Sequence, residues 1–204
     1  MASPDSNSSR SDLSCITLEV PGFSRSIKGP PALRYRSRIA RDLACILDVN
    51  PAIMAWECRS RPLTAGDAEH QADFTAYDID GVIWLIDAPD RKSIVDKSVL
   101  TTCAEALGLR YRQVERSEIY DGFRLRNATD LLRYSGHKVS LGDRVRLLAA
   151  LDENGSLSFA ECMQIVRESQ SVAVLASLIL QSIIEVDLDE ALIGPETKVT
   201  RMRA

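Results

Sequence analysis

Apolar residues recur at Tyr35, Ile39, Leu43, Ile46 and Leu47. This three-to-four spacing predicts a helix that buries one face. Asn50-Pro51 ends it, because proline disfavours helical backbone in the residue before it. The period then changes. Residues 53–58 read as a strand and 61–66 as a loop. Residues 72–77 and 82–87 read as two more strands, joined by an Asp80-Gly81 hairpin turn. A helix is expected over 92–107 with Gly108 as its C-terminal cap, then a strand over 109–114 and a short helix over 127–134. Helix, three strands, helix, strand predicts a mixed α/β layer. Past Gly142 the pattern gives helices at 143–151, 158–168 and 171–182, with a turn at Asn154-Gly155. Extended segments at 184–188 and 198–202 flank Gly194-Pro195. Three helices and a two-stranded ribbon predict a winged helix.

The expected organisation is therefore a disordered tail over 1–14, rich in Ser, Asp and Asn, a first domain over 15–135, a linker over 136–142 and a second domain over 143–204. Residues 15–32 look extended and are punctuated by Gly29-Pro30-Pro31.

Composition narrows the function classes. The chain has 204 residues, 45% of them hydrophobic and 26% charged, which is ordinary for a globular protein. A net charge of −4 gives no bulk attraction to nucleic acid, so contact with DNA has to come from a local basic patch. From Arg25 to Arg41 there are six basic residues (Arg25, Lys28, Arg34, Arg36, Arg38, Arg41) and no acid. Of these, Arg34, Arg36, Arg38 and Arg41 are the candidate DNA contacts; a solvated helix face with a linker is the plainer reading. The five cysteines (15, 45, 58, 103, 162) form no CxxC pair. With only His70 and His137 beside them they draw no zinc site, and their odd count points to a reducing cytoplasm. The N-terminus has no apolar signal core, and the run 172–180 is too short to span a membrane. Neither a phosphate-binding GxxxxGK loop, nor GxGxxG, nor GxSxG occurs, so no nucleotide partner is expected.

Two acids stand out. Asp73 sits in Gln71-Ala72-Asp73-Phe74, and Asp87 ends Val82-Ile83-Trp84-Leu85-Ile86-Asp87, on strands that the hairpin turn makes neighbours. An Asp among apolar residues is costly to bury without a partner. Its plainer role is to hold backbone amides at a strand edge. Lys92 and Arg91 lie just beyond Asp87 and read first as ordinary surface at the start of a helix. Glu69 reads as a loop residue and His137 as part of the linker.

This layout resembles the PD-(D/E)xK nucleases, and over roughly 35–202 the chain resembles the TnsA-like endonucleases that cut DNA at transposon ends. The resemblance rests on Arg41-Asp42-Leu43 through Leu47-Asp48, Asn50-Pro51-Ala52-Ile53 with Arg61-Pro62, Ala72-Asp73-Phe74 and Trp84-Leu85-Ile86-Asp87. Gly108-Leu109-Arg110-Tyr111, Arg124-Leu125-Arg126-Asn127 and the helix that carries Arg144 to Leu151 complete it. No single motif is specific; their order and spacing together are. The resemblance implies a restriction-endonuclease-like mixed-sheet core followed by a small winged-helix domain. It implies DNA as partner, a transposase or an ATPase regulator beside it, and Mg²⁺ as the only cofactor, if there is one.

The family's catalytic Glu falls on Ala40 and its lysine on Pro89; Asp73 and Asp87 match the remaining acids. Carboxylates hold Mg²⁺ through oxygen, the ion activates a water, and the lysine supports that nucleophile. Asp73 and Asp87 are thus expected to form a vestigial, weak metal site. Losing the lysine is expected to cost about 10²–10⁴-fold in rate. Over 143–204 the acids outnumber the bases, ten to six. Glu185, Asp187, Asp189 and Glu190 disfavour a wing that reads DNA, and only Lys198, Arg201 and Arg203 suit phosphate. Three readings follow: a catalytically impaired TnsA-like DNA-binding subunit of a transposition system, an active Mg²⁺-dependent endonuclease with a rearranged site, or a non-enzymatic regulator that reuses the fold.

Overall fold

A computed structural model of the chain describes residues 26–31, 33–58 and 62–202. The expected tail over 1–14, most of the extended stretch 15–32, and Cys15, Arg25, Arg61 and Arg203 lie outside them.

Ser37 opens helix α1 (Arg38–Val49) by accepting from the Ala40 amide at 3.1 Å, which satisfies one of the donors a helix start leaves bare. The cap sets the start three residues after Tyr35, which joins the same core from outside the helix, 6.5 Å, ring to ring, from both Trp56 and Phe74. Strand β1 (Ile53–Cys58) follows. The expected loop at 61–66 is instead the first arm of a hairpin, β2 (Leu63–Ala65) with β3 (Ala68–His70). Three-residue strands are too short to show alternation. What supports the pair is Leu63, 2% exposed, which packs against the second helix of the layer.

Strands β4 (Phe74–Asp78) and β5 (Ile83–Asp87) flank a turn in which Gly81 adopts φ 79°. Helix α2 (Lys97–Ala106) starts later than periodicity suggests, because Asp96 caps it by accepting from Ser98 N at 2.8 Å. The chain then enters β6 (Arg110–Gln113). The sheet order is β1-β4-β5-β6: the first three strands pair antiparallel, and β6 joins β5 in parallel after the α2 crossover. One face packs α1 through Leu43, Ala44 and Leu47 against Trp56, Phe74, Ala76 and Ile86. The other packs α2 and the hairpin through Leu100 and Ala104 against Leu63, Leu85 and Tyr111. This is a mixed α/β architecture, with seven helices among the described residues.

Two helices, α3 (Arg116–Tyr120) and α4 (Arg124–Leu132), lead into the C-terminal half. It runs α5 (Leu141–Asn154), β7 (Ser156–Ser158), α6 (Phe159–Ile165), α7 (Ser171–Leu180), β8 (Ile184–Glu185) and β9 (Lys198–Arg201). The expected two-stranded ribbon is a three-stranded sheet of order β7-β9-β8. β7 is too short and polar to announce itself and forms only because it can pair with β9. The residues from Ala173 to Leu178 are all buried. One side of α7 fills the core of its own half. The other meets Cys45 of α1 and Ala128, Leu131 and Leu132 of α4. The segment between the halves packs too: the His137 carbonyl accepts from Ser177 Oγ at 3.0 Å. No helix among the described residues is long and apolar enough to cross a membrane.

Candidate functional site

The β4–β5 register pairs Phe74 with Ile86, so one step outward sets Asp73 opposite Asp87. Each acid takes a backbone amide from beside the other. Asp73 N donates to Asp87 Oδ1 at 2.9 Å, and Ala88 N donates to Asp73 Oδ2 at 3.0 Å. The pair predicted from the hairpin is therefore built, at the end of the two central strands.

Its companions are not those the sequence suggests. Arg36, in the turn before α1, lays its guanidinium fork on Asp73, with Nε to Oδ1 at 2.8 Å and Nη2 to Oδ2 at 3.0 Å. The same Nη2 reaches Asp90 Oδ1 at 2.8 Å. Burial works against the charge of Arg36, and the hydrogen bonds to Asp73 and Asp90 more than reverse this, holding its pKa above the ordinary arginine value. Burial likewise pushes the Asp90 carboxyl up, but the bonds from Arg36 and Ser37 hold it below the usual range. Arg91 turns back toward the pair: Nη1 lies 3.7 Å from Asp73 Oδ1, and Nη2 donates to the Gln71 carbonyl at 2.6 Å. Charge-assisted two-point bonds of this kind are among the stronger polar contacts in proteins.

Asp87 is wholly buried. Its Oδ2 meets His70 Nε2 at 2.6 Å and accepts from the Tyr111 hydroxyl at 2.9 Å. With Asp87 ionised, Nε2 must carry the ring hydrogen, since a carboxylate only accepts. Burial, and then the charge of Asp87, push the Tyr111 hydroxyl pKa up. The β2–β3 hairpin delivers His70, which explains its absence from a reading that makes this segment a loop.

Ala40 and Pro89, the positions that the resemblance matches to a Glu and a Lys, are a core residue and a turn residue. Ala40 is 1% exposed and lies in the apolar cluster that also holds Ala88. Pro89 sits in a turn where Arg91 N bonds the Ala88 carbonyl at 3.0 Å and Gln113 Nε2 donates to the carbonyls of Ala88 and Arg91, at 3.2 and 3.0 Å. A divalent ion does not fit the residues as they stand. It needs oxygens at about 2.1 Å and a set of further oxygen donors. Here both Asp73 oxygens face Arg36 and both Asp87 oxygens hold protein donors. No group of three or more His, Cys, Asp or Glu side chains suited to a metal occurs among the described residues.

The basic run divides. Arg36 is committed to Asp73 and Asp90, and Arg41 to Asp42 at 2.6 Å. Arg34 and Arg38 are exposed; Arg34 lines a cleft with Pro30, Trp56 and Glu57. A second cluster, unseen in the sequence, gathers where α1 meets α3. The guanidinium of Arg116 stands 4.9 Å over the Tyr120 ring, whose hydroxyl donates to Asp42 Oδ2 at 3.0 Å. Burial and then Asp42 raise the Tyr120 pKa, while the charges of Arg116 and Arg38 pull the other way. Arg38, Arg41, Arg116 and Tyr120 thus share one surface. No model of a known protein family matches this chain, and no curated protein is significantly similar to it in sequence.

Proposed function

We propose that this chain is a TnsA-like protein with a restriction-endonuclease-like core that no longer cuts DNA, and that it acts as a DNA-binding subunit of a transposition system beside a transposase or an ATPase regulator. The carrying observation is the paired acids themselves: Asp73 and Asp87 stand opposite each other where such a core would hold its metal, and every carboxylate oxygen is engaged by Arg36, His70, Tyr111 or a backbone amide. The strand directions, three antiparallel and one parallel after a helical crossover, support the core. The helix–strand–helix–helix–strand–strand order of the second half supports a winged helix.

On this reading DNA lies along α1 and α3. Arg38 and Arg116 offer charge there and Tyr120 a ring, and an arginine over an aromatic ring is a platform that nucleic acid accepts. The third helix of the winged half, α7, is buried against α4 and has no face to offer a groove. A second reading, an active Mg²⁺-dependent endonuclease with a rearranged site, draws on Arg91, whose cation near Asp73 would replace the missing lysine. The test is direct. Plasmid incubated with the purified protein and Mg²⁺ or Mn²⁺ is expected to remain supercoiled. Nicking that disappears in Asp73→Ala would overturn the proposal in favour of the second reading.

A further inference from the structure

We propose that Arg36 is the resident counter-cation of this site: its guanidinium holds the position of a divalent ion, and the acids are balanced without metal. The inference rests on the non-cleaving reading and deepens it.

The Asp73 side chain is 3% exposed, and a buried carboxylate without a compensating charge is strongly destabilising. A permanent cation solves this. Arg36 meets the need in two directions, with a fork on Asp73 and a shared Nη2 on Asp90. Arg91 adds a second positive charge 3.7 Å from Asp73 Oδ1. The arrangement is preorganised, because the residues on either side of Arg36 are fixed. Tyr35 is 7% exposed and packs on Trp56 and Phe74, and Ser37 caps α1. The backbone that carries Arg36 is thereby held beside the acids, and two carboxylates anchor the far end of its side chain. An ion at ~2.1 Å from either Asp73 oxygen would stand against a guanidinium whose nitrogens lie at 2.8 and 3.0 Å, with a second cation, Arg91, 3.7 Å from Oδ1. Removing the guanidinium leaves a cation-sized space faced by Asp73 and Asp90, in which a hydrated divalent ion is the obvious replacement.

The experiment is thermal unfolding of the full-length protein, in chelator and in millimolar Mn²⁺. It compares wild type, Arg36→Met, Arg36→Lys and the double variant Arg36→Met with Asp73→Asn. Wild type is expected to melt at the same temperature in both buffers. Arg36→Met is expected to melt about 6–20 °C lower in chelator. Mn²⁺ at about 100 times its Kd should return about 5–10 °C of that, and the added Asp73→Asn should abolish the response. Arg36→Lys, which keeps a charge, is expected to fold and to ignore Mn²⁺. Should the Met variant not fold, the Lys variant and a wild-type Mn²⁺ titration read by electron paramagnetic resonance decide the matter. Wild-type binding of Mn²⁺ that is lost in Asp73→Asn would overturn the proposal, and so would an Arg36→Met protein as stable as wild type and indifferent to Mn²⁺. A wild type that ignores Mn²⁺ yet nicks plasmid in chelator would sink the non-cleaving reading, and only the charge balance between Arg36 and Asp73, read by melting, would remain.

Discussion

Asp87 accepts from the Asp73 amide and the Tyr111 hydroxyl and meets His70 Nε2, and its carboxylate is out of reach of water. Truncating it would strand a buried imidazole and a buried hydroxyl together. Asp87→Ala is therefore expected to lose about 3–5 kcal/mol of stability, the cost of breaking a buried polar network from one side. Denaturant unfolding measures it, and a loss below ~1 kcal/mol would mean that the network carries little. Gly29 shows the same dependence on close neighbours. A Cβ there would come within 2.4 Å of the Trp56 ring, and Trp56 Nε1 donates to Asp48 Oδ1 at 2.9 Å. Burial raises the Asp48 carboxyl pKa against the bonds from Ser26, Trp56 and Lys28, so α1 ends on an acid with partners from two other segments.

Helix α1 has two duties. One side, with Ala40, Leu43 and Leu47, seals the sheet, while its start is tied down by Arg36 and Ser37 beside the acids. Its outer side, with Arg38 and Arg41, meets α3, where Arg116 stacks on Tyr120. If DNA runs along this face, each phosphate-bound cation releases about one counterion. Replacing Arg38 and Arg116 together by Ala is then expected to weaken duplex binding and flatten its salt dependence by up to about two units. Gel shifts over a salt series give the slope. An unchanged slope would show that DNA binds elsewhere. Arg36 is a poor choice for such a test, because its substitution would disturb Asp73 as well as any phosphate.

The two halves are joined by more than a chain segment. Asn127 of α4 donates to the carbonyls of Leu188 and Ala191, at 2.9 and 2.8 Å, and accepts from Ile193 N at 3.0 Å. Arg124 forks onto Asp189, Nε to Oδ1 at 2.7 Å, and this lowers the Asp189 carboxyl pKa. Asp189 is thus tied to the first half although its side chain stays half exposed. Leu131, 4% exposed, lies in the core that α4 shares with α7. Leu131→Ala is expected to cost about 2–5 kcal/mol and to lower one cooperative melting transition of the full chain. Two separate transitions, or a shift confined to one of two, would show halves that fold independently. Cutting the chain near 140 would expose both sides of this core, so binding by isolated fragments is a poor guide to which half contacts DNA.

Periodicity carries α1, β1, β4, β5 and the helices of the second half in the sequence, because an element that buries one face must repeat its apolar residues at its own period. The Asp80-Gly81 turn carries more: a tight hairpin fixes register, and register sets Asp73 against Asp87. What surrounds those acids leaves no such trace. Arg36 stands 37 positions before Asp73, and its neighbours along the chain are other cations, so the sequence shows a basic run where the fold makes an ion pair. His70 arrives on strands too short to alternate. Tyr111 reads as one more β6 residue until its hydroxyl is seen at Asp87. The uniformly apolar α7 looks like core in any reading, but α4 as its second partner is fixed by packing across more than 40 residues of chain, where contact depends on shape and not on spacing.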